Sequence, residues 1–188
     1  MKPAEFEERV EELAGSRVVQ VRYHEIVYQS ADGQPLGVPM WNEAPDFDSL
    51  DHGLNLTMDG GASFYVTWGM EFTQYGVTVR TEPLHNVSAV RVWDVSNDSR
   101  WSPLIGQRII AADVFWGQFW LADGSQRTEY PQDIRLTFED GSHVYLAAYE
   151  VREGGFRMDM MDHITVFFGD EAAQSYQIGP FASDHRAV

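Results

Sequence analysis

The sequence predicts a mainly β protein: an antiparallel sandwich or barrel built from two pseudo-symmetric β-rich repeats, with one N-terminal amphipathic helix. Three observations support this prediction. About ten short segments alternate apolar and polar residues, which is typical of strands with one solvated face. Turn residues such as Asp-Gly separate these segments at short intervals, as in antiparallel folds. Two stretches of the chain also resemble one another, in the same order.

The similar stretches first occur at an offset of 91 residues. Residues 13–19 (LAGSRVV) return as residues 104–110 (LIGQRII), and the ADG at 31–33 returns at 122–124. The ADG match alone is weak support, because Asp-Gly is a common hairpin signal that recurs without shared ancestry. The Leu-x-Gly-x-Arg pattern is not turn chemistry, so it favours an internal repeat over two hairpins with similar turns.

Further along the chain the offset falls to 80, where residues 54–66 match residues 134–146. We therefore predict a duplicated unit, with repeats at approximately 13–100 and 104–178 inside a single compact domain 1–188. The length suits one domain of ordinary size, and the 44% of hydrophobic residues suffices for a core.

The first element is predicted to be a helix that ends near Gly15. Phe6, Val10 and Leu13 form one apolar stripe at helical spacing, while glutamates occupy the opposite face. Pro3 suits the first turn, and a glycine suits the position after the last turn. The second repeat has no clear counterpart of this helix.

After the helix the apolar period changes to two, which predicts a first strand with Val19, Val21 and Tyr23 on its apolar face. The later predicted strands carry these apolar groups: Leu54/Leu56/Met58, Phe64/Val66/Trp68, Val77/Val79, Val90/Val92, Ile110/Ala112/Val114/Trp116, Ile134/Leu136/Phe138, Val144/Leu146/Ala148 and Ile164/Val166/Phe168.

The longest predicted loop lies in the first repeat at 34–50, and its three prolines predict that it forms no regular element. Long loops often carry binding residues. The candidate partner- or ligand-binding residues of this region are Trp41, Asp46, Phe47, Asp48 and Asp51. The alternative is that Trp41 and Phe47 fold back as a lid over one end of the fold.

Two tryptophans outside this loop complete the candidate binding residues. Trp101 begins the second repeat, and Trp120 lies outside the apolar register of its strand, so it is expected to face solvent. An exposed tryptophan on an acidic protein can anchor an interface. Trp68, Trp93 and Trp116 fall in strand registers and are predicted to lie in the core.

Asp159, Asp162 and His163 form the densest group of metal-ligand residue types. They stand directly before a predicted strand, where a solvated turn explains them better than a metal site. The Asp51-His52 pair could place a carboxylate behind a general base, but adjacent residues of an extended chain point in opposite directions. No catalytic motif is present, and we predict no metal and no cofactor.

Composition narrows the possible partners. The formal net charge is -16, which disfavours binding to nucleic acid and to anionic membranes and favours a basic partner. The chain has no cysteine, which excludes disulfides, thiolate metal sites and cysteine nucleophiles. The first residues lack the apolar core of a signal peptide, and no segment is long and apolar enough for a membrane helix, so we expect a cytoplasmic protein.

Three functions fit these features. The favoured one is a non-catalytic binding protein that meets a basic protein partner; in general character alone, the chain is similar to bacterial immunity proteins, which neutralise toxins. The alternative is a small-ligand binder or enzyme with a site in the cleft between the repeats. The third is a structural domain that oligomerises through its sheet edges, so both a monomer and a homodimer remain open.

Overall fold

In the computed structural model of the chain, the described residues are 1–34, 44–81, 90–120, 127–152 and 156–182. They form two α-helices, one 3₁₀ helix and twelve strands. The bounds are α1 Pro3–Glu11, β1 Val18–Ile26, β2 Phe47–Leu50, β3 Gly53–Met58, β4 Ser63–Gly69, β5 Gly76–Arg80, β6 Val90–Asp94, β7 Ile109–Trp120, β8 Arg127–Phe138, β9 His143–Ala147, β10 Tyr149–Arg152, β11 Phe156–Asp159, β12 Ile164–Phe168, α2 Asp170–Ser175 and the 3₁₀ helix Gly179–Phe181.

Two five-stranded antiparallel sheets share one apolar core. The strand order is β5-β4-β3-β1-β6 in the first sheet and β2-β12-β9-β8-β7 in the second, and β10 and β11 pair separately. The prediction of a mainly β, antiparallel fold with an N-terminal helix is confirmed, and of the two predicted architectures the sandwich fits. The edge strand β2 belongs to the first half of the chain but pairs with β12 of the second half, which ties the halves together.

A single cluster of apolar side chains lies between the sheets. Val21, Tyr23 and Leu56 of the first sheet and Ile134 and Val166 of the second are fully buried in the core. Burying an aliphatic or aromatic side chain of this kind stabilises a fold by about 1.5–3 kcal/mol, so these strands are held mainly by the contact between the sheets.

The predicted apolar stripe of α1 is confirmed. Phe6, Val10 and Leu13 are fully buried, and the Phe6 ring makes edge-on contacts with Phe72 and Trp116. The stripe therefore docks the helix on the sandwich, because its remaining faces carry solvated glutamates.

A β-bulge near the start of β1 and another near the start of β7 change the predicted registers. The pairing is irregular directly after Val18 and directly after Ile109, and both of these residues are buried. Val19 is consequently 43% exposed and Ile110 55% exposed. The prediction that they lie on the apolar face is wrong, because the extra residue of a bulge shifts the alternation.

The two Leu-x-Gly-x-Arg segments pair with each other at the junction of the halves. Gly15 N donates to Ile109 O at 2.8 Å, and Gly106 N donates to Val18 O at 2.7 Å. An antiparallel bridge joins Arg17 to Arg108 at the centre. Each arginine also donates to a carbonyl of the opposite segment, Arg17 to Gly106 and Arg108 to Gly15. Each segment therefore makes equivalent hydrogen bonds to the other on the two sides of this bridge.

Both sheets contain a meander with the same strand order, β1-β3-β4-β5 in one and β7-β8-β9-β12 in the other. Their tight turns also agree: Met58 N donates to Ala62 O at 2.8 Å, and Phe138 N donates to Ser142 O at 2.9 Å. These local correspondences follow the offsets seen in the sequence. Superposition of the complete repeats and their origin by duplication stay predictions.

The predicted loop 34–50 ends in a strand. Residues 35–43 lie outside the described residues, but Phe47–Leu50 forms β2 at the edge of the second sheet. The prediction that the prolines exclude a regular element is wrong for this end, because Pro45 precedes the strand and removes no hydrogen bond from it.

Candidate functional site

Two carboxylates of one short segment meet β1 in the space between the sheets. Asp48 lies within β2, and Asp51 directly follows it. The buried row of β1 continues from Tyr23 to Glu25. Tyr23 contacts Asp48 and Glu25 contacts Asp51, so each carboxylate bridges between a strand of the first sheet and the edge of the second.

The Asp48 network consists of Tyr23, Asp48, Arg100 and Trp101. The Tyr23 hydroxyl donates to Asp48 Oδ2 at 2.7 Å, and Trp101 Nε1 donates to the Tyr23 hydroxyl at 2.6 Å. Arg100 forms an ion pair with Asp48 Oδ1 and donates to the carbonyl of Ala44 at 2.6 Å. The buried carboxylate thus has both a cation and a neutral donor as partners.

The pKa values of this network reflect that balance. Burial raises the pKa of Asp48 to about 6, while the hydrogen bond from Tyr23 and the charge of Arg100 oppose the rise. Burial, followed by the charge of Asp48, raises the pKa of the Tyr23 hydroxyl well above its ordinary value. Tyr23 therefore keeps its proton at neutral pH and serves as a donor.

The Glu25 cluster consists of Glu25, Asp51, Tyr28 and Asp162. The carboxyl group of Glu25 lies close enough to that of Asp51 to interact with it, and a hydrogen bond between them needs a proton on Glu25 because carboxylates are acceptors only. Asp51 Oδ1 also accepts the backbone N–H of Ile26 at 2.9 Å. Glu25 is only 9% exposed, and its Oε1 atom is buried without a hydrogen-bond partner.

Burial raises the pKa of Glu25 to about 9, and the charge of Asp51 is the next cause. Burial, hydrogen bonding to Asp51 and the charges of Asp51 and Asp162 raise the pKa of the Tyr28 hydroxyl to about 12. At neutral pH the cluster therefore holds a proton at the place where the Asp48 network holds an arginine.

The basic side chains near the Glu25 cluster do not neutralise it. Burial lowers the pKa of His52, and burial, His52 and Arg22 lower that of His24 to about 4, so both imidazoles are neutral at pH 7. Arg91 lies opposite Glu25 in the β1–β6 pairing, but its guanidinium stacks 5.4 Å from the centroid of Trp93. Among the described residues, no ion pair includes Glu25 or Asp51.

A pocket of about 280 Å³ lies beside the Asp48 network, at the joint between the halves. Arg100, His143, Phe168 and Asp170 are among its lining residues. His143 Nδ1 lies 2.6 Å from Asp170 Oδ1, and the same oxygen accepts the Tyr145 hydroxyl at 2.7 Å. These two bonds, the tyrosine bond first, lower the pKa of Asp170. A carboxylate that orients an imidazole in this way can present its other nitrogen to a ligand.

The structure separates the predicted binding residues into different environments. Asp48 and Asp51 belong to the Asp48 network and the Glu25 cluster, respectively, and Asp46 is exposed. Phe47 is only 5% exposed and packs against Phe167, which agrees with the alternative that it folds back. Trp41 lies outside the described residues.

The structure places the tryptophans named in the sequence analysis in different environments. Trp101, a candidate binding residue, is fully buried: its indole donates to the Tyr23 hydroxyl and packs edge-on against Phe168. Trp68, Trp93 and Trp116 are partly buried and pack against the core, as predicted in outline. The backbone of Trp120 ends β7, and its side chain lies outside the described part of the chain.

The three weak metal candidates are spread over two elements. Asp159 ends β11, whereas Asp162 and His163 precede β12, with His163 Nδ1 3.5 Å from Asp162 Oδ1. Within the described ranges, no group of three or more histidine and acidic residues is placed to hold a metal ion.

Sequence reasoning missed Glu25, Arg100 and the pair His143–Asp170. A signal existed for Glu25, because it continues the two-residue spacing of Val21 and Tyr23 and a charged residue in an apolar register requires an explanation. No local signal exists for the other residues, since their partners are distant along the chain.

Comparison with known proteins identifies no relative. No protein-family model matches the chain, and no curated protein or solved structure is significantly similar to it. In the described part of the chain, neither α-helix has the length and apolar character needed to cross a membrane.

Proposed function

We propose that this protein is a non-catalytic binding protein that engages a basic protein partner through its acidic surface. The observation that carries the proposal is the excess of acidic over basic residues. The formal net charge is -16, from 29 aspartates and glutamates against 13 lysines and arginines.

The solvated side of α1 illustrates this excess. Glu8, Glu11 and Glu12 are exposed, and none of them forms an ion pair with a described residue. Arg9, the basic residue of the helix, instead donates to the carbonyl of Val79 at 3.2 Å. Such uncompensated charge accelerates encounter with a cationic surface, and salt screens the attraction.

The proposal includes a cytoplasmic location and an immunity-like role in a bacterium, in which the partner is a basic toxin. Its support is general: the acidic surface, the absence of cysteine and the absence of a catalytic motif. A binding experiment that captures the partner would identify this toxin.

The test is capture of partners on the immobilised protein, followed by kinetics of the purified partner at several salt concentrations. We expect a basic partner whose association rate constant falls steeply as salt rises, while the dissociation rate changes less. The variant Glu8→Gln/Glu11→Gln/Glu12→Gln should associate more slowly. An acidic partner, or an association rate constant that is independent of salt, contradicts the proposal.

A second candidate function is supported by the pocket at the joint. Its volume of about 280 Å³ suits a small metabolite, and Arg100 and Asp170 offer both charges beside the Phe168 ring. The ligand class that this lining favours is a small zwitterion such as an amino acid.

The second candidate is tested by a thermal-shift screen of amino acids, with His143→Gln as the pocket variant. A ligand that raises the melting temperature of the wild type but not of His143→Gln supports it. Equal shifts in both proteins, or no shift with any amino acid, contradict it.

A further inference from the structure

The Glu25 cluster brings together two carboxyl groups from different sheets. Glu25 belongs to β1 of the first sheet, and Asp51 follows β2 of the second. Both residues are buried. The pairing of Leu50 with Ile164 places the turn that carries Asp162 nearby, and the charge of Asp162 acts on the Tyr28 hydroxyl. The interior of a protein is a poor place for uncompensated charge.

The orphaned Oε1 atom of Glu25 indicates that this arrangement is incomplete. Buried polar atoms in folded proteins nearly always have a partner, and the exceptions require an explanation. This oxygen is buried on a residue that is only 9% exposed, and no described residue donates to it. Asp48, which lies three residues before Asp51, is also a buried carboxylate, and its partner is the guanidinium of Arg100. An arginine is therefore the kind of partner that Glu25 lacks.

The chemistry of the cluster selects an organic cation over a metal ion. No group of three ligands is placed for a metal among the described residues. A guanidinium, by contrast, is planar and donates two parallel hydrogen bonds to carboxyl oxygens. The Tyr28 ring is 52% exposed, and its hydroxyl interacts with Asp51, so an aromatic face lies between the pair and solvent. Aromatic faces attract guanidinium groups.

We propose that the Glu25–Asp51 carboxyl pair is the anchoring site for an arginine side chain of the basic partner, whose guanidinium donates to both carboxyl groups and supplies the partner that Glu25 Oε1 lacks. This inference rests on the proposed function, since it names the point at which that partner is held. No covalent bond forms. The O–H proton of the pair passes to water as the guanidinium donates to the two carboxylates, and the side chain of Tyr28 moves aside to admit it.

The exchange has a signature that general attraction to an acidic surface lacks: one proton leaves for each arginine that enters. The charged and titratable groups around the pair are Tyr28 just after β1, His52 after Asp51, Asp162 and His163 before β12, and Arg91 on β6. Tyr28 stays protonated and His52 stays neutral at pH 7 to 8, because of the shifts in their pKa values. The proton released in that range therefore comes from the pair.

The experiment is calorimetric titration with an oligo-arginine peptide at pH 7.5, in two buffers of different ionisation enthalpy. We expect the wild type to release about one proton per bound peptide. Glu25→Gln should release none and should bind about tenfold more weakly. Glu171→Gln is the matched control, because it makes the same change of charge at an exposed site outside the proposed binding residues and should release the proton as the wild type does. If Glu25→Gln does not fold, the wild type is studied by carbon-13 NMR instead. The resonance of the Glu25 carboxyl carbon should then move to the position of an ionised carboxylate when the peptide binds.

The outcomes distinguish this inference from the proposed function. Salt-sensitive binding without proton release, or with the same release in Glu25→Gln, overturns the arginine site and leaves the basic partner in place. Equal proton release by an oligo-lysine peptide overturns the assignment to arginine. Failure of both peptides and of every captured partner to bind overturns the proposed function itself.

Discussion

The Asp48 network and the Glu25 cluster are two solutions to one problem, the burial of a carboxylate between the sheets. Asp48 and Asp51 are three residues apart on the same segment, and both meet an inward-facing side chain of β1. Asp48 is neutralised by Arg100, whereas Asp51 lies beside a second acid, Glu25, whose pKa is raised. The first arrangement is complete within the chain, and the second carries an oxygen with no partner.

This difference separates a structural role from a binding role. Paired and hydrogen-bonded charges stabilise a fold only when both partners stay in place. An unpaired buried acid reduces stability, and natural proteins retain such groups chiefly where function requires them. Substitutions at the two sites should therefore have opposite effects on stability.

The largest expected effect is at Arg100. Arg100→Gln leaves Asp48 buried without a cation, and we expect the free energy of unfolding to fall by about 3–5 kcal/mol at pH 7. Urea denaturation measures it, with Arg91→Gln as the control, because Arg91 stacks on Trp93 and contacts no described carboxylate. A loss below about 1 kcal/mol, the range of exposed ion pairs, would show that Asp48 does not depend on Arg100.

The second largest effect is at Glu25, where we expect a substitution to increase the stability of the protein. The pKa of Glu25 is raised from its ordinary value of 4.5 to about 9, so folding takes up a proton between these values. The contribution of Glu25 to stability is therefore most favourable below pH 4.5 and declines as pH rises to 9, by up to about 1.4 kcal/mol per pH unit. Glu25→Gln removes this slope and should be more stable than the wild type at pH 7. Urea denaturation of both proteins from pH 5 to 9 tests this, and parallel curves would contradict it.

Removal of one tyrosine hydroxyl from each site allows the two sites to be compared, with Tyr23 in the Asp48 network and Tyr28 in the Glu25 cluster. Tyr23→Phe removes the hydroxyl that bonds Asp48 Oδ2 and Trp101 Nε1, and we expect a loss of about 1–3 kcal/mol. Tyr28→Phe removes a hydroxyl from a half-exposed ring and should change stability by less than about 0.5 kcal/mol. Thermal unfolding of both variants measures the difference. Equal losses would mean that the two sites are equally structural.

The smallest effect concerns a solvated carboxylate. The pKa of Asp170 is lowered by Tyr145 first and His143 second, so its contribution to stability is present above its ordinary value of 3.8 and is lost as pH falls through the lowered value. Because its side chain is 54% exposed, Asp170→Asn should lose less than about 1 kcal/mol at neutral pH and nothing in strong acid. Denaturation at pH 7 and pH 2 measures both values, and a loss that persists at pH 2 would refute the electrostatic explanation.

The parts of the fold that sequence predicted are those set by short-range patterns. The stripe of Phe6, Val10 and Leu13 identified α1, and alternation identified most strands. The prediction failed where a bulge shifts the register after Val18 and Ile109, because a bulge is a property of strand pairing and leaves little trace in one strand. It failed again at β2, where an edge strand follows directly after a proline-rich stretch.

The candidate site could be predicted only in part. Asp48 and Asp51 were named because they lie in a long acidic loop, but nothing near them distinguishes their roles. Asp48 meets Arg100, which is 52 residues away, and Asp51 meets Glu25. Trp101 was named as a candidate binding residue from its place at the start of the second repeat, and its burial against Tyr23 depends on a contact between residues 78 apart in the chain.

The amino-acid sequence by itself determined the fold class, the N-terminal helix and the excess of negative charge. Each of these depends on composition or on a periodicity within a few residues, which physical chemistry translates directly into local structure and net charge. Only the tertiary structure decided which of the two neighbouring aspartates is neutralised and which is not. That outcome depends on long-range contacts and burial, and these exist only once the two sheets have packed together.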